Sequence, residues 1–235
     1  MLTCRTGDPA AAALLKRHPH VTSVLAGAGS GIAFTDGTWD REARCGDPGA
    51  ALYGLVELMD NNPLVCADVA STPGCAGTLA LIALGPVALA SLLSERPVLV
   101  LNVPTESVDI DMALRSAQWA DGAEVHYEPM DLGSVMVASA IAVIPTPENA
   151  AELQDLYEER FGRSFFVRAA SESEWDPERV RGTPFAFYRL SLAFDQDQSL
   201  LTVRVMADRE GKCGAAQVVH LMNVMCGFEE TLGIL

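Results

Sequence analysis

Short apolar runs alternate with longer apolar or amphipathic stretches along the chain, and this alternation predicts both strands and helices. The predicted strands occupy residues 1–4, 21–26, 63–70, 96–104, 164–170, 185–196 and 199–208, with two more inside 123–145. The predicted helices follow the first strand as far as His18 and then occupy about 75–94, 109–122, 146–162 and 213–226. Residues 32–50 are polar and predict a loop after a short strand. Strands mixed with helices in this way predict an α/β or α+β architecture.

The helix at 146–162 has the clearest boundary signals in the chain. Thr146 is the predicted N-cap, Pro147 suits the first helical position, and Gly162 predicts the end. By contrast, the most apolar stretch, residues 76–93, contains Gly85 and Pro86. Its length is at the lower limit for a membrane span, and a buried core helix explains it better.

Composition and charge exclude several classes of function. The chain has 31 acidic and 16 basic residues and a net charge of −15, which argues against a nucleic-acid or anionic-membrane surface. No apolar leader with a small-residue cleavage site is present, so we expect a cytoplasmic protein. The six cysteines form no CxxC pair and no metal-type spacing with histidine, which predicts reduced thiols and no metal site.

A glycine-rich segment follows the second predicted strand. Gly27, Gly29 and Gly31 lie there, whereas the turn after the first strand contains only Gly7. A dinucleotide fingerprint belongs between the first strand and its helix, so a flexible turn is the favoured interpretation and phosphate binding the weaker one.

The position of Cys75 favours a reactive thiol, because this residue lies where the predicted apolar helix begins. Unpaired backbone N–H groups and the helix dipole favour a thiolate at such a position, and the same N–H groups could hold an oxyanion. Gly74 leaves room for a substrate to approach. The competing interpretation is a free cysteine that acts as a small buried hydrophobe.

Several stretches together resemble one enzyme family. The segment ADVASTPGCAGTLALIAL resembles the active-site segment of the N-acetyl-γ-glutamyl-phosphate reductases, in which Asn-Pro-Gly-Cys precedes a threonine and an apolar helix. Five other stretches match the same family in order: LLKRHPHVTSV, ALYGLVEL, HYEPMDLG, VRGTPF and GKCGAAQVVHLMNVMCGFEETLGIL. The last of these is similar to the family's Lys-Gly-Ala-Ala-Gly-Gln-Ala-Val-Gln-Asn-Met-Asn. The aspartate-semialdehyde dehydrogenases are a more distant match, because they have Asn-Cys where this chain has Gly-Cys.

This resemblance implies a fold and a mechanism. It implies a reduced Rossmann-like remnant over residues 1–65, then a mixed-sheet catalytic and dimerisation domain of the semialdehyde dehydrogenase type over 66–235, with the closing helix packed back on the N-terminal part. In that family a cysteine attacks an acyl phosphate, NADPH reduces the thioester to an aldehyde, and a histidine transfers a proton. By matching position, Cys75 would be the nucleophile and His126 the acid/base within a few ångströms of it. A homodimer or homotetramer is also implied.

The chain departs from the family pattern where the family binds NADP(H). The expected Gly-x-x-Gly-x-x-Gly turn is reduced to RTGDP, and a Gln-Asn pair beside the nicotinamide is replaced by His220 and Leu221. Gly7, Gly214 and His220 are therefore only weak cofactor-binding candidates, and NADP(H) is expected to have been lost.

The substrate loops of the family are missing as well. The remaining substrate-binding candidates are Thr72, Gly74, Arg181 and Lys212, with ordinary surface charge the preferred interpretation of Arg181. The leading hypothesis is a truncated, divergent relative in which Cys75 performs cofactor-independent acyl transfer or hydrolysis on an amino-acid derivative, possibly one presented on a carrier protein. The alternatives are an NADP-dependent semialdehyde-forming reductase and a non-catalytic scaffold.

Overall fold

The computed structural model describes residues 1–105 and 107–235, which form two mixed six-stranded sheets. The first sheet contains strands β1 to β6, and its strand order is β2-β1-β3-β4-β6-β5. The third strand pairs antiparallel with β1 and β4, and the other pairs in this sheet are parallel. Its strands are β1 (Leu2–Thr6), β2 (Val21–Ala26), β3 (Ile32–Thr35), β4 (Asp40–Cys45), β5 (Leu52–Tyr53) and β6 (Val69–Thr72).

In the described residues, the helices are α1 (Pro9–Lys16), α2 (Asn61–Cys66), α3 (Cys75–Leu89), α4 (Ser107–Ser116), α5 (Ala150–Phe161) and α6 (Ala215–Met225). Short 3₁₀ turns occupy Val56–Leu58, Glu172–Glu174 and Pro177–Arg179. The last helix returns to the first sheet, where it packs against α1, α2, β4 and β6. Every residue of α6 is buried, so the end of the chain completes the core around the first strands.

The second sheet has the order β10-β11-β12-β9-β7-β8 and carries α3, α4 and α5. Its long antiparallel strands β9 and β12 pack directly against α3. Its strands are β7 (Val98–Leu101), β8 (Glu124–Tyr127), β9 (Val135–Pro145), β10 (Val167–Ala169), β11 (Ala186–Ala193) and β12 (Gln198–Asp208). The predicted fold class, α/β plus α+β with mixed sheets, is confirmed.

Helix α3 is apolar on all sides, as expected of a helix enclosed by the core. Its glycines allow close packing: a Cβ on Gly77 would lie 2.9 Å from the Ala113 side chain on α4. The helix ends at Leu89, earlier than the predicted residue 94, and Ser91 adopts a left-handed φ of 56°. In the described part of the chain no helix is long and apolar enough to cross a membrane.

Three further sequence predictions differ from the structure. Residues 63–66, predicted as part of a strand, belong to α2, and the strand β6 begins only at Val69. The predicted loop at 32–50 contains β4, which lies inside the sheet between β3 and β6.

The third difference concerns the start of α5, where Asn149 and not Thr146 is the N-cap. The Asn149 side chain accepts hydrogen bonds from Ala151 N at 2.8 Å and Glu152 N at 3.3 Å. Thr146 instead donates to the carbonyl of Asp195 at the end of a neighbouring strand. The predicted domain division at residue 65 stays a prediction; the first sheet extends to Thr72.

Candidate functional site

Cys75 is the first residue of α3 and lies three positions after the end of β6. The side chain is partly buried against the core that surrounds α3. Gly74 is the N-cap in an extended conformation, and no side chain of its own can cap the helix. The helix start that the sequence predicts is therefore present, with the thiol at its first turn.

A carboxylate from α4 already occupies this helix N-terminus. Asp109 accepts hydrogen bonds from Gly74 N at 2.9 Å and from Gly77 N at 2.7 Å. The Tyr53 hydroxyl lies 3.4 Å from the same carboxylate. Because these N–H groups and the positive end of the helix dipole serve Asp109, less of their field is left to stabilise a thiolate on Cys75.

Two further thiols contact the backbone at the start of α3. The Cys213 thiol donates to the Cys75 carbonyl at 3.9 Å, and the Cys45 thiol donates to the carbonyl of Pro73 at 3.5 Å. Burial raises the pKa of the Cys45 thiol to about 11. We call Cys45, Cys75 and Cys213, which lie at the start of α3 and in the segments packed against it, the thiol cluster.

The pKa of Cys75 lies well above its usual value, which contradicts the expectation of a thiolate at the helix start. Burial is the largest cause, followed by the neighbouring Cys213 thiol, and the Asp109 carboxylate adds to the rise. The Arg209 guanidinium acts in the opposite direction and lowers the pKa. Sequence reasoning missed this result because Asp109 and Cys213 reach Cys75 only through the tertiary fold.

A cavity of about 400 Å³ lies beside Arg209, between the β1–α1 turn and the N-terminus of α6. Its walls include Asp8, Pro9, Glu210 and Gly214. Arg209 is the cation that lowers the pKa of the Cys75 thiol, and the sequence analysis did not identify it as a site residue. Its position directly after β12 and just before the motif GKCGAAQ was the one available signal.

His126 lies on the edge strand β8, in the second sheet. Its side chain is exposed, and Nε2 is 2.9 Å from the Glu124 carboxylate two residues away. Among the hydrogen bonds and ion pairs of the described residues, none joins His126 to Cys75. The structure brings Cys75 together with Cys213 and Asp109, and a catalytic role for His126 stays a prediction.

The other substrate-binding candidates have protein partners. The Thr72 side chain is fully buried, with Oγ1 3.4 Å from the Arg44 carbonyl. Arg181 donates to both carboxylate oxygens of Glu178, which agrees with ordinary surface charge. Lys212 is 1% exposed, and its Nζ lies 2.6 Å from the Glu57 carboxylate, so its charge is held inside the protein.

The residues at the β1–α1 turn do not fit a bound dinucleotide. Gly7 N donates to the Gly29 carbonyl at 3.1 Å, so the glycine-rich segment covers the turn where a pyrophosphate would lie. Asp8 caps α1 by accepting from Ala10 N at 2.8 Å, which puts a negative charge at the helix N-terminus. A second anion there would be repelled.

The weak cofactor candidates at the other end of the chain have structural roles. Gly214 is the N-cap of α6, and a Cβ at this position would lie 2.4 Å from the Arg209 carbonyl. His220 is buried, with Nε2 2.8 Å from the Glu230 carboxylate. Within the described ranges, no group of three or more histidine, cysteine, aspartate or glutamate side chains is arranged to hold a metal ion.

Comparison with known proteins defines the class of fold first. The structure is similar to the crystal structure of aspartate semialdehyde dehydrogenase II from Vibrio cholerae, with a TM-score of 0.52, 12% identity, and coverage of 74% of this chain and 68% of that one. The same enzyme complexed with ASA gives a TM-score of 0.53 at 11% identity. This is the semialdehyde dehydrogenase fold.

Among curated sequences, the N-acetyl-gamma-glutamyl-phosphate reductase of Bacillus cereus is 24% identical over 220 residues, and that of Bacillus anthracis is 23% identical. No family model matches the chain. The match covers 78% of this chain and 62% of those relatives, so the chain spans less than two thirds of their length. The resemblance seen in the motifs is confirmed: the protein is a divergent relative of these reductases.

Proposed function

We propose that Cys75 takes up the acyl group of an activated carboxyl on an amino-acid derivative and passes it to water or to an amine or thiol acceptor. The observation that carries this proposal is the position of the thiol. It lies at the first turn of α3, and the Arg209 guanidinium, which lines a cavity of about 400 Å³, lowers its pKa. A cation that acts on a thiol suits an anionic acyl donor such as an acyl phosphate.

The proposed reaction has two balanced steps. The Cys75 sulfur attacks the acyl carbon, a C–S bond forms, the C–O bond to phosphate breaks, and phosphate leaves with the bonding electrons while the thiol proton passes to solvent. Water then attacks the thioester carbonyl, which releases the carboxylic acid and restores the thiol. Arg209 stabilises the phosphate as it leaves.

The proposed reaction contains no hydride transfer, and the structure of the β1–α1 turn supports this feature of the proposal. The Asp8 carboxylate and the contact between Gly7 and Gly29 both oppose a pyrophosphate there. An NADP-dependent reductase is the alternative that this geometry disfavours. Saturable thermal stabilisation by NADPH would support that alternative and overturn the cofactor-free reaction.

The reaction is tested with acetyl phosphate as the acyl donor and intact-protein mass spectrometry as the readout. We expect wild-type protein to gain one acetyl group, faster as the pH rises toward 9, because deprotonation of Cys75 limits the attack. The Cys75→Ala variant should gain none. Cys66→Ala is the matched control, since that thiol is exposed and lies outside the thiol cluster. Equal labelling of Cys75→Ala and wild type would exclude Cys75 as the nucleophile.

A non-catalytic scaffold is the second candidate, and one observation favours it. Asp109 occupies the N–H groups that could otherwise hold an oxyanion. This candidate predicts no acetylation of wild-type protein at any pH, so the same experiment separates the two. A carrier-bound substrate and a cytoplasmic location stay proposals drawn from the sequence, and a homodimer or homotetramer is a proposal that follows from the resemblance.

A further inference from the structure

A second cavity, of about 370 Å³, lies beside the 3₁₀ turn Val56–Leu58, on the side of the molecule where α5 ends. It is separate from the cavity beside Arg209, and the two share no lining residue. Its volume lies in the range of cavities that bind small molecules. Most of its walls are polar or charged, with contributions from the start of α2, the end of α5 and the C-terminal segment.

One wall of this cavity holds a buried carboxylate with an unsatisfied oxygen. Glu57 is 3% exposed, and its Oε1 is 2.6 Å from Lys212 Nζ and 3.2 Å from the Ser164 hydroxyl. Its Oε2 has no hydrogen-bond partner among the described residues. Burial opposes ionisation, but the Lys212 ammonium and His220 lower the pKa of Glu57 below its usual value. The Oε2 atom is therefore a buried acceptor that has no donor among the described residues.

Another wall holds a buried donor without an acceptor. Arg160 lies in the last turn of α5, and its Nε has no partner among the described residues. Arg160 and Glu57 line the same cavity with opposite charges, yet no ion pair within 4 Å joins them in the described part of the chain. A molecule between them would have to donate to Glu57 and accept from Arg160.

The surrounding charges favour a ligand with no net charge. The carboxylates of Glu57, Asp60 and Glu230 are balanced by Arg160 and Arg163 in the cavity wall and by Lys212, which is paired with Glu57. A free anion or a free cation would upset this balance, whereas a molecule that carries one charge of each sign would keep it.

We propose that this cavity binds a small zwitterion, the chemical class of the free α-amino acids, with its ammonium group on Glu57 and its carboxylate on Arg160. Charge-assisted hydrogen bonds at both ends would satisfy the two buried atoms that the protein leaves without partners. This binding site is independent of acyl transfer at Cys75, and each can be present without the other.

The test is isothermal titration of the full chain with L-alanine, L-glutamine, L-glutamate and L-lysine, one at a time. Acetate and ethylammonium serve as probes that carry only one of the two charges. We expect saturable binding of at least one amino acid and none of the single-charge probes. If no amino acid binds saturably, or if acetate or ethylammonium binds as tightly, the zwitterion site is excluded.

Variants locate the binding site. Arg160→Gln should weaken binding about tenfold, the usual effect of losing one charge-assisted hydrogen bond. Arg160→Lys keeps the charge but removes Nε, so its affinity for the amino acid should lie between the affinities of Arg160→Gln and wild type. Arg115→Gln is the matched control, because Arg115 is exposed on α4 and outside the cavity. Unchanged binding in both Arg160 variants, or loss of binding in Cys75→Ala, would contradict the assignment.

Discussion

The carboxyl group of Glu57 and the thiol of Cys75 are each contacted by one of two adjacent residues, yet their pKa values shift in opposite directions. Lys212 contacts the Glu57 carboxylate, and Cys213 contacts the backbone of Cys75. The pKa of Glu57 is below its usual value, whereas that of Cys75 is well above it. Burial opposes the charged form of both groups, so burial alone does not explain the difference.

The difference lies in the charges that face each acid. Glu57 has an ammonium at 2.6 Å that is itself 1% exposed, so little water screens the pair. Cys75 has the Cys213 thiol and the Asp109 carboxylate nearby, which both raise its pKa, whereas Arg209, which lowers it, is exposed to solvent. The direction of each pKa shift thus follows the groups that the fold places around the acid: a thiol and a carboxylate near Cys75, and a buried cation beside Glu57.

The largest expected effect follows from removing that cation. Lys212→Met should destabilise the protein by about 3–5 kcal/mol, because it leaves the Glu57 carboxylate buried and uncompensated. Urea denaturation at pH 7 measures the loss. Lys16→Met, at the exposed end of α1, is the control and should cost far less.

The pH dependence of stability gives a second readout for the same pair. In wild type the lowered pKa means that the contribution of Glu57 is complete above its ordinary value of 4.5 and is lost as the pH falls through the folded-state pKa. In Lys212→Met we expect the sign to reverse, so that mild acid stabilises the variant by neutralising Glu57. A variant with the wild-type acid profile would show that Lys212 does not hold Glu57 ionised.

The next effect in size concerns Asp109. Asp109→Asn should destabilise the protein by about 2 kcal/mol, because it weakens two charge-assisted hydrogen bonds at the start of α3. It should also lower the pKa of Cys75, since a negative charge near the thiol is removed. Asp111→Asn, two residues along α4, is the control for thiol reactivity. An Asp109→Asn variant as stable as wild type would mean that the carboxylate does not cap α3.

A smaller change is expected from Cys213→Ala. This thiol is the largest neighbouring cause of the raised pKa of Cys75, after burial. Its removal should increase the rate of iodoacetamide labelling of Cys75 at pH 7.5 by up to about tenfold, because a lower pKa leaves more thiolate at that pH. Peptide mapping measures the rate, and Cys226→Ala, at the end of α6, is the control. A slower reaction of Cys75 in the Cys213→Ala variant would show that Cys213 does not raise the pKa of Cys75.

Local sequence was enough to predict the elements that carry the thiol. The long apolar run after Pro73 predicted α3 with its start near Cys75, but the sequence favoured Ser71 or Thr72 as the cap, and the structure has Gly74 in that position. The mixed α/β fold followed from the order of the strands and helices. Strand β4 was not predicted because its sequence, DREARC, has no alternating apolar pattern. Its charged residues pair with one another, as Arg44 does with Glu42.

The environment of the thiol could not be predicted in the same way. Asp109 reaches the N-terminus of α3 from 35 positions beyond Gly74, and Cys213 reaches Cys75 from 138 positions away. The buried pair of Lys212 and Glu57 spans 155 positions. These contacts determine the pKa of each acid, and they exist only once α4 and α6 have packed. Helix-start reasoning alone therefore gave the wrong ionisation for Cys75.

The smallest expected effect is that of Arg209. This guanidinium lowers the pKa of Cys75, but it is exposed, so water screens much of its influence. Arg209→Gln should raise the thiol pKa and slow iodoacetamide labelling about threefold, because below the pKa the labelling rate follows the thiolate fraction. High salt should reduce the difference from wild type, whereas Arg204→Gln, on an exposed part of β12, should have no effect. Equal labelling rates for Arg209→Gln and wild type at low salt would show that Arg209 does not lower the pKa of Cys75.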